Sequence, residues 1–261
     1  MEIAFFGDIV GKPGRRAVIS QLSRLFGERA LDFVVANCEN AAGGVGVDPG
    51  SVRELLGAGI DVLTSGNHVW AKREIVEYIR DSDVLLRPAN FAPNVPGWGY
   101  TVKTSRHGIS VAVVNLIGRV FMNNYDCPFR VVDAVLTSLR ERAKVVVVDM
   151  HAEATSEKVA MGWYLDGRVS AVIGSHTHVQ TADERILPEG TAYLTDAGMC
   201  GPRDSVIGVK RKPVVERFLT QMPTRFEVAD GPALVQGVIV DVDDATGRAR
   251  GIERFQFVVD P

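Results

Sequence analysis

The chain has 261 residues, of which 46% are hydrophobic, and it carries a formal net charge of -3. This length is enough to bury one large core, and the charge excludes a global basic field that would attract nucleic acid non-specifically. Three cysteines without a CxxC pair argue against a disulfide scaffold and suit a reducing compartment.

The beginning of the sequence has neither a basic segment nor a long apolar segment, so we expect no signal peptide. The longest apolar runs, such as Val145–Val148, have the length of a strand and are too short to cross a bilayer. We therefore expect a cytoplasmic protein that makes no membrane contact.

Short apolar runs alternate with helical patterns along the first two thirds of the chain. The predicted elements begin with strand 3–6, helix 14–27, strand 33–36, helix 48–57, strand 62–64, helix 70–80 and a loop-rich segment 87–99. They continue with strands 100–104 and 109–115, helix 129–142, strand 145–149, helix 156–165 and strand 169–173. Strands 192–195, 225–228, 234–242 and 252–259 form a β-rich tail. The pattern predicts one α/β domain over residues 1–261, with two sheets packed face to face and helices outside.

Polar islands directly follow several of these apolar runs. Four of the five histidines lie in Gly66–His68, Met150–Glu153 and Gly174–His178, and two earlier islands, Phe6–Asp8 and Asn37–Asn40, carry acids. Because the carboxyl ends of parallel strands meet at one edge of a sheet, we expect these side chains to converge. Carboxylates, amide oxygens and imidazoles that converge on one crevice predict a site for two metal ions.

Each island alone also has a simple structural explanation. Asp8 could cap a turn, Glu39 could be a solvated loop acid, and His68 could bond to a backbone carbonyl. The pair His176 and His178 is the sharpest signal, since both flank one threonine after a predicted strand. We assign no role to His107, which lies in a predicted hairpin turn.

The order of these islands resembles the calcineurin-like metallophosphoesterases. Within that family, the segments Gly7–Gly11, Asn37–Gly44, Gly66–Trp70 and Gly174–His178 are similar to those of the bacterial YmdB-type subgroup. The resemblance extends from Asp8 to at least Thr195. It implies a four-layer α/β/β/α sandwich of two mixed β-sheets flanked by helices, with a dinuclear metal centre.

The resemblance also implies the ligand set. Asp8, Glu39 and His178 would hold one ion, and Glu39 would bridge to a second ion. The ligands of the second ion would be completed by Asn67, His151 and His176, with His68 as the general acid.

The chain departs from the broad family pattern at several positions. Val10 stands where the first motif usually has a histidine, and we predict that Asn40 supplies the missing ligand. Glu39 replaces the usual aspartate of the second motif. Val69 replaces the acid that usually follows His68, so the group that orients His68 is not evident. Ser175 precedes the His-x-His pair in place of the family's Gly-His-x-His.

The predicted chemistry is hydrolysis of a phosphodiester by a hydroxide that bridges the two ions, with His68 protonating the departing oxygen. Mixed nitrogen and oxygen ligands suit Fe, Mn or Zn better than Ca or Mg. The subgroup resemblance implies 2′,3′-cyclic nucleotides as substrates, and RNA ends are a second candidate substrate. A homo-oligomer is the candidate assembly. The alternatives are a phosphomonoesterase or protein phosphatase, and a metal-binding regulatory or RNA-interaction module with little turnover.

Substrate specificity is predicted to lie in loops. Residues 118–127 and 198–203 follow predicted strands and are candidates for the walls of the site. Within the first of these loops, Asn123, Asn124 and Tyr125 are candidates for contacts with a base or ribose.

Overall fold

The computed structural model describes residues 1–260, and this part of the chain is a mixed α/β structure. Its α-helices are α1 (Gly11–Glu28), α2 (Pro49–Gly57), α3 (Ile75–Arg80), α4 (Pro128–Leu139), α5 (Thr155–Leu165) and α6 (Arg211–Thr220), and Val69–Ala71 forms one turn of 3-10 helix. Asp48 caps α2, because its side chain accepts a hydrogen bond from the Ser51 N–H at 2.8 Å.

The first sheet has seven strands and contains the first and last strands of residues 1–260. Its strands are β1 (Glu2–Phe6), β2 (Asp8–Ile9), β3 (Leu31–Asn37), β4 (Val62–Thr64), β11 (Met199–Pro202), β12 (Ala233–Val242) and β13 (Ala249–Val259). The spatial order is β2-β11-β12-β1-β3-β4, with β13 paired to β12. The β1, β3 and β4 strands are parallel, whereas β12 runs antiparallel to β1.

The second sheet has six strands from the middle of the chain. They are β5 (Tyr100–Thr104), β6 (Ser110–Ile117), β7 (Val145–His151), β8 (Ala171–Ser175), β9 (Arg185–Ile186) and β10 (Ala192–Leu194). The order is β5-β6-β7-β8-β10-β9, and the four central strands β6, β7, β8 and β10 are parallel.

Side-chain alternation along the strands creates three apolar layers. In β1, Ile3 and Phe5 point into a cluster between the two sheets, while Ala4 and Phe6 point to the helices α1, α2 and α3. Helices α4 and α5 cover the outer face of the second sheet. The layers therefore follow the order α/β/β/α, and the predicted four-layer sandwich is confirmed.

Several predicted elements need correction. The predicted helix 70–80 is a 3-10 turn followed, after a gap, by the short α3. Residues 225–228 do not form a strand and contribute one isolated bridge, Val209 to Val228. The segment 199–202, predicted as a loop, is the strand β11, and α6 occupies a region that was predicted to be rich in β-structure.

Within residues 1–260, every helix is too short or too polar to span a bilayer.

Candidate metal centre

The predicted polar islands converge at one edge of the two facing sheets. The first sheet contributes Asp8 at the start of β2 and Glu39 just after β3. The second sheet contributes His151, the last residue of β7, and the segment after β8 that carries His176 and His178. Because β1, β3, β7 and β8 end at this edge, residues far apart in sequence meet there.

One group of ligand atoms surrounds the His151 ring. The His151 Nε2 atom lies 3.3 Å from Glu39 Oε1, 3.3 Å from Asn67 Oδ1 and 3.1 Å from His176 Nδ1. Ligand atoms of Glu39, His151 and His176 all lie within 4.8 Å of one another. This group matches the set predicted for one of the two ions.

A second group lies beside the first and includes Asp8 and His178. The His178 Nε2 atom is 3.7 Å from Asp8 Oδ1 and 3.1 Å from Asn40 Nδ2. Asn40 Nδ2 also donates to Glu39 Oε1 at 3.2 Å, so the two groups adjoin at the Glu39 carboxylate. Asn40 presents its amide nitrogen to this group, and a role as ligand requires the flipped amide, which places the oxygen there.

The donor set fits bound metal cations. Asp8 Oδ1 is fully buried and has no hydrogen-bond partner among residues 1–260. A buried carboxylate oxygen without a partner is costly, and a bound cation removes that cost. Gly66 gives the groups room, since a Cβ at this position would overlap both His151 and Glu39.

The pKa of each acid and histidine in these groups depends on the charges of its neighbours. Burial raises the pKa of Asp8 to about 6. Burial also opposes the charge on Glu39, but the His151 and His68 rings outweigh it and hold the Glu39 pKa well below its usual range. Burial also opposes the charge on His151, but the neighbouring carboxylates of Glu39 and Asp8 outweigh it and raise the His151 pKa to about 9. Burial and the neighbouring His151 lower the pKa of His176 to about 3. Because metal ligands bind in the deprotonated form, a bound cation would displace a proton from His151 and would itself balance the two carboxylates.

His68 stands at the rim of the centre, with 39% of its side chain exposed. Its Nδ1 atom lies 2.9 Å from Asn40 Oδ1 and 3.2 Å from Glu39 Oε1, and its backbone N–H donates to Glu39 Oε2 at 3.1 Å. The hydrogen bond to Glu39 raises the pKa of His68. Among the contacts of the ring, the hydrogen bond to Glu39 is therefore the one that orients His68, where Val69 replaces the usual acid.

A buried network beneath the centre fixes the His151 ring, and sequence reasoning missed it. The Ser175 hydroxyl donates to Asp149 Oδ1 at 2.6 Å and contacts His151 Nδ1 at 2.9 Å. With its proton given to Asp149, the hydroxyl accepts from the Nδ1–H of His151, and this tautomer leaves Nε2 free for a metal. Ser175, which stands where the broad family has glycine, thus contacts the predicted ligand His151 directly. An acid directly after four valines in β7 was the available signal.

The backbone of the island Gly174–His178 is strained at its two histidines. His176 and His178 have φ angles of 101° and 64°, in the left-handed region that non-glycine residues rarely adopt. Asp196 Oδ2 holds the intervening Thr177 by accepting from its N–H at 3.1 Å and from its hydroxyl at 2.7 Å. The same oxygen accepts from Lys158 Nζ at 2.6 Å, and both side chains are 1% exposed. A buried ion pair therefore supports the strained segment.

The cysteines are expected to differ in reactivity. Burial raises the pKa of Cys38 and raises that of Cys200 to about 12. For Cys127, the small burial cost is outweighed by backbone N–H groups at the start of α4, which lower its pKa. Because the thiolate is the reactive form, a maleimide should label Cys127 in the folded protein and spare the other two. Mass spectrometry of the labelled peptides checks this, and early labelling of Cys200 would contradict it.

Comparison with known proteins places this centre in a family. A family model described as YmdB-like protein matches residues 4–255. The chain is 47% identical, over 254 residues and 97% of its length, to the 2′,3′-cyclic-nucleotide 2′-phosphodiesterase of Bacillus subtilis strain 168, of which it covers 96%.

Solved structures agree with the sequence relatives. The chain superposes with a TM-score of 0.93 on a hypothetical protein from Thermus thermophilus, at 41% identity and covering 99% of this chain and 100% of that one. It superposes equally well, with a TM-score of 0.93 and 33% identity, on a phosphatase from Mycoplasma pneumoniae, covering 100% of this chain and 94% of that one. The predicted enzyme class, a phosphodiester hydrolase, is confirmed by these relatives, and the chain belongs to the YmdB-like family.

Proposed function

We propose that this chain is a dinuclear-metal phosphodiesterase that hydrolyses 2′,3′-cyclic nucleotides. The observation that carries the proposal is the position of the Glu39 carboxylate between two ligand groups of mixed nitrogen and oxygen atoms. The proposed ligands are Asp8, Glu39, Asn40, Asn67, His151, His176 and His178. The name of the Bacillus subtilis relative supports the substrate class.

In the proposed mechanism, some residues hold the metal ions and His68 transfers a proton. When bound, two cations of Fe or Mn type supply Lewis-acid activation of the phosphoryl group and of the attacking water. The buried carboxylates of Asp8 and Glu39 balance that charge. His68 engages Glu39 through Nδ1, so its Nε2 is the atom that delivers a proton to the departing ribose oxygen.

His68→Ala is expected to lower kcat by about 10²–10⁴-fold, the usual contribution of a general acid, while the bound metal stays unchanged. Elemental analysis and steady-state hydrolysis of a 2′,3′-cyclic nucleotide measure both quantities. His107→Ala is the matched control, since His107 pairs with Asp32 at the opposite ends of the strands. Unchanged turnover in His68→Ala would remove this residue from the mechanism.

The metal content and substrate class are tested on the unmodified protein. About two transition-metal equivalents per chain, with chelator-sensitive cleavage of bis-p-nitrophenyl phosphate, support the proposal. Faster hydrolysis of matched monoesters would instead indicate a phosphomonoesterase. Bound metal without turnover on any diester would indicate a regulatory or RNA-interaction module.

A further inference from the structure

We infer that a cleft beside the metal centre binds the nucleobase of the substrate, an inference that rests on the proposed function. The cleft has a volume of about 510 Å³, within the usual range for small-molecule sites. It is lined by three segments of the chain, which contain Trp70, Phe91 and Tyr125 respectively.

The cleft adjoins the place where the phosphate would bind. Asn67 is common to both sites, since it lines the cleft and its Oδ1 lies 3.3 Å from His151 Nε2. A cyclic nucleotide held by its phosphate at the metal centre can therefore extend its base over Asn67 into the cleft. This geometry gives the two ends of one molecule separate binding sites.

Aromatic side chains form one wall of the cleft. Phe91 is 7% exposed and stacks on Tyr125, with ring centroids 4.9 Å apart and an interplanar angle of 24°. Trp70 lies against the same Phe91 ring at 6.3 Å. Trp70 and Tyr125 remain partly exposed, so they offer aromatic faces on which a base can stack.

The loop that carries Tyr125 is held in place by the core. The side chain of fully buried Asn90 donates to the carbonyl oxygens of Ile117 and Asp126 at 2.8 and 2.9 Å, and its backbone carbonyl accepts from the Asp126 N–H at 3.0 Å. The wall of the cleft is therefore formed before a ligand arrives, which reduces the entropic cost of binding.

The polar groups of the cleft favour a neutral ring over a second phosphate. Its lining contains the amides of Asn123 and Asn124 and the carboxylate of Asp126, and none of the lining residues is a lysine or arginine. Amides and a carboxylate pair well with the donors and acceptors on a base edge, whereas an acidic lining repels a phosphate. This chemistry identifies a nucleobase as the occupant.

The test compares two substrates that differ only by the base. For Tyr125→Ala, we expect the KM for 2′,3′-cyclic AMP to rise about 5- to 150-fold, the usual range for loss of one stacking contact, with little change in kcat. Hydrolysis of methyl ribofuranoside 2′,3′-cyclic phosphate, which has the same diester and no base, should be unchanged. Tyr125→Phe, which keeps the ring, should restore a KM near that of the unmodified protein.

Phe121→Ala is the matched control, since this aromatic residue belongs to the same loop, is 88% exposed and does not line the cleft. Equal losses on both substrates, or no loss on the nucleotide, would overturn the inference. Trp70→Leu repeats the comparison on a different segment, and thermal unfolding shows whether either variant is misfolded.

A binding measurement separates failure of the cleft from failure of the proposed function. Adenosine, which has no phosphate, should quench tryptophan fluorescence of the unmodified protein, and Tyr125→Ala should weaken that binding. If neither substrate is hydrolysed but adenosine binds and Tyr125→Ala weakens it, the proposed function fails and the base site stands. If both cyclic phosphates are hydrolysed equally well and adenosine does not bind, the base site fails and the enzyme stands.

Discussion

Glu39→Gln is expected to abolish most of the phosphodiesterase activity and much of the metal binding. The Glu39 carboxylate is fully buried. It contacts one residue of each ligand group, His151 and Asn40, and also the proposed proton donor, His68. Metal ions supply several kcal/mol to phosphoryl transfer and about 1.4 kcal/mol corresponds to a tenfold rate change, so we expect a loss of about 10³-fold.

Steady-state kinetics at saturating Mn²⁺ and elemental analysis of the purified variant provide the measurement. Glu54→Gln is the matched control, because Glu54 lies on α2 and pairs at the surface with Arg15 at 2.6 Å. That control should retain full activity. If Glu39→Gln keeps two metal equivalents and normal turnover, the bridging role of Glu39 is wrong.

Lys158→Met is expected to cause the largest loss of stability, about 3–5 kcal/mol, the usual cost of breaking a buried ion pair from one side. The substitution leaves Asp196 buried and without its counter-ion, although Thr177 still donates to it. Because Asp196 also holds the strained segment between His176 and His178, metal affinity should fall together with stability.

Denaturant unfolding and metal titration of the same variant check both expectations. Adding Asp196→Asn should recover part of the lost stability, because the unpaired charge is then removed. Lys210→Met serves as the control, since Lys210 pairs with Glu227 at an exposed site where ion pairs contribute about 0–1 kcal/mol. A loss as small as that of the control would show that the buried pair has no structural role.

The convergence of the candidate site was predictable because it follows from a simple rule about parallel strands. Polar residues after apolar runs marked Asp8, Glu39, Asn67 and four of the five histidines, and the structure brings all of these together. The same rule applies to Asp196, which follows β10 closely, but sequence reasoning overlooked this residue, which binds Thr177 and Lys158 and belongs to neither ligand group. Hydrogen bonding that depends on orientation, as at Ser175, cannot be read from spacing.

The errors in the fold also have a physical origin. Helix α6 buries only Val214 and leaves Phe218 and Leu219 about four-fifths exposed, so it lacks the apolar stripe that reveals a surface helix. Residues 225–228 have strand-forming composition but pair only through an isolated bridge at Val228. The strand propensity of residues 225–228 therefore gave a wrong prediction, because pairing with neighbouring strands did not reinforce it.

The ligand groups have one architectural consequence beyond catalysis. In each group a carboxylate from the first sheet faces imidazoles from the second sheet, Glu39 with His151 and His176, and Asp8 with His178. An ion bound in either group would therefore cross-link the two sheets at this edge of the sandwich. Metal binding would then stabilise the packing of the two sheets against each other. The residues that would serve the chemistry would therefore also contribute to the stability of the fold.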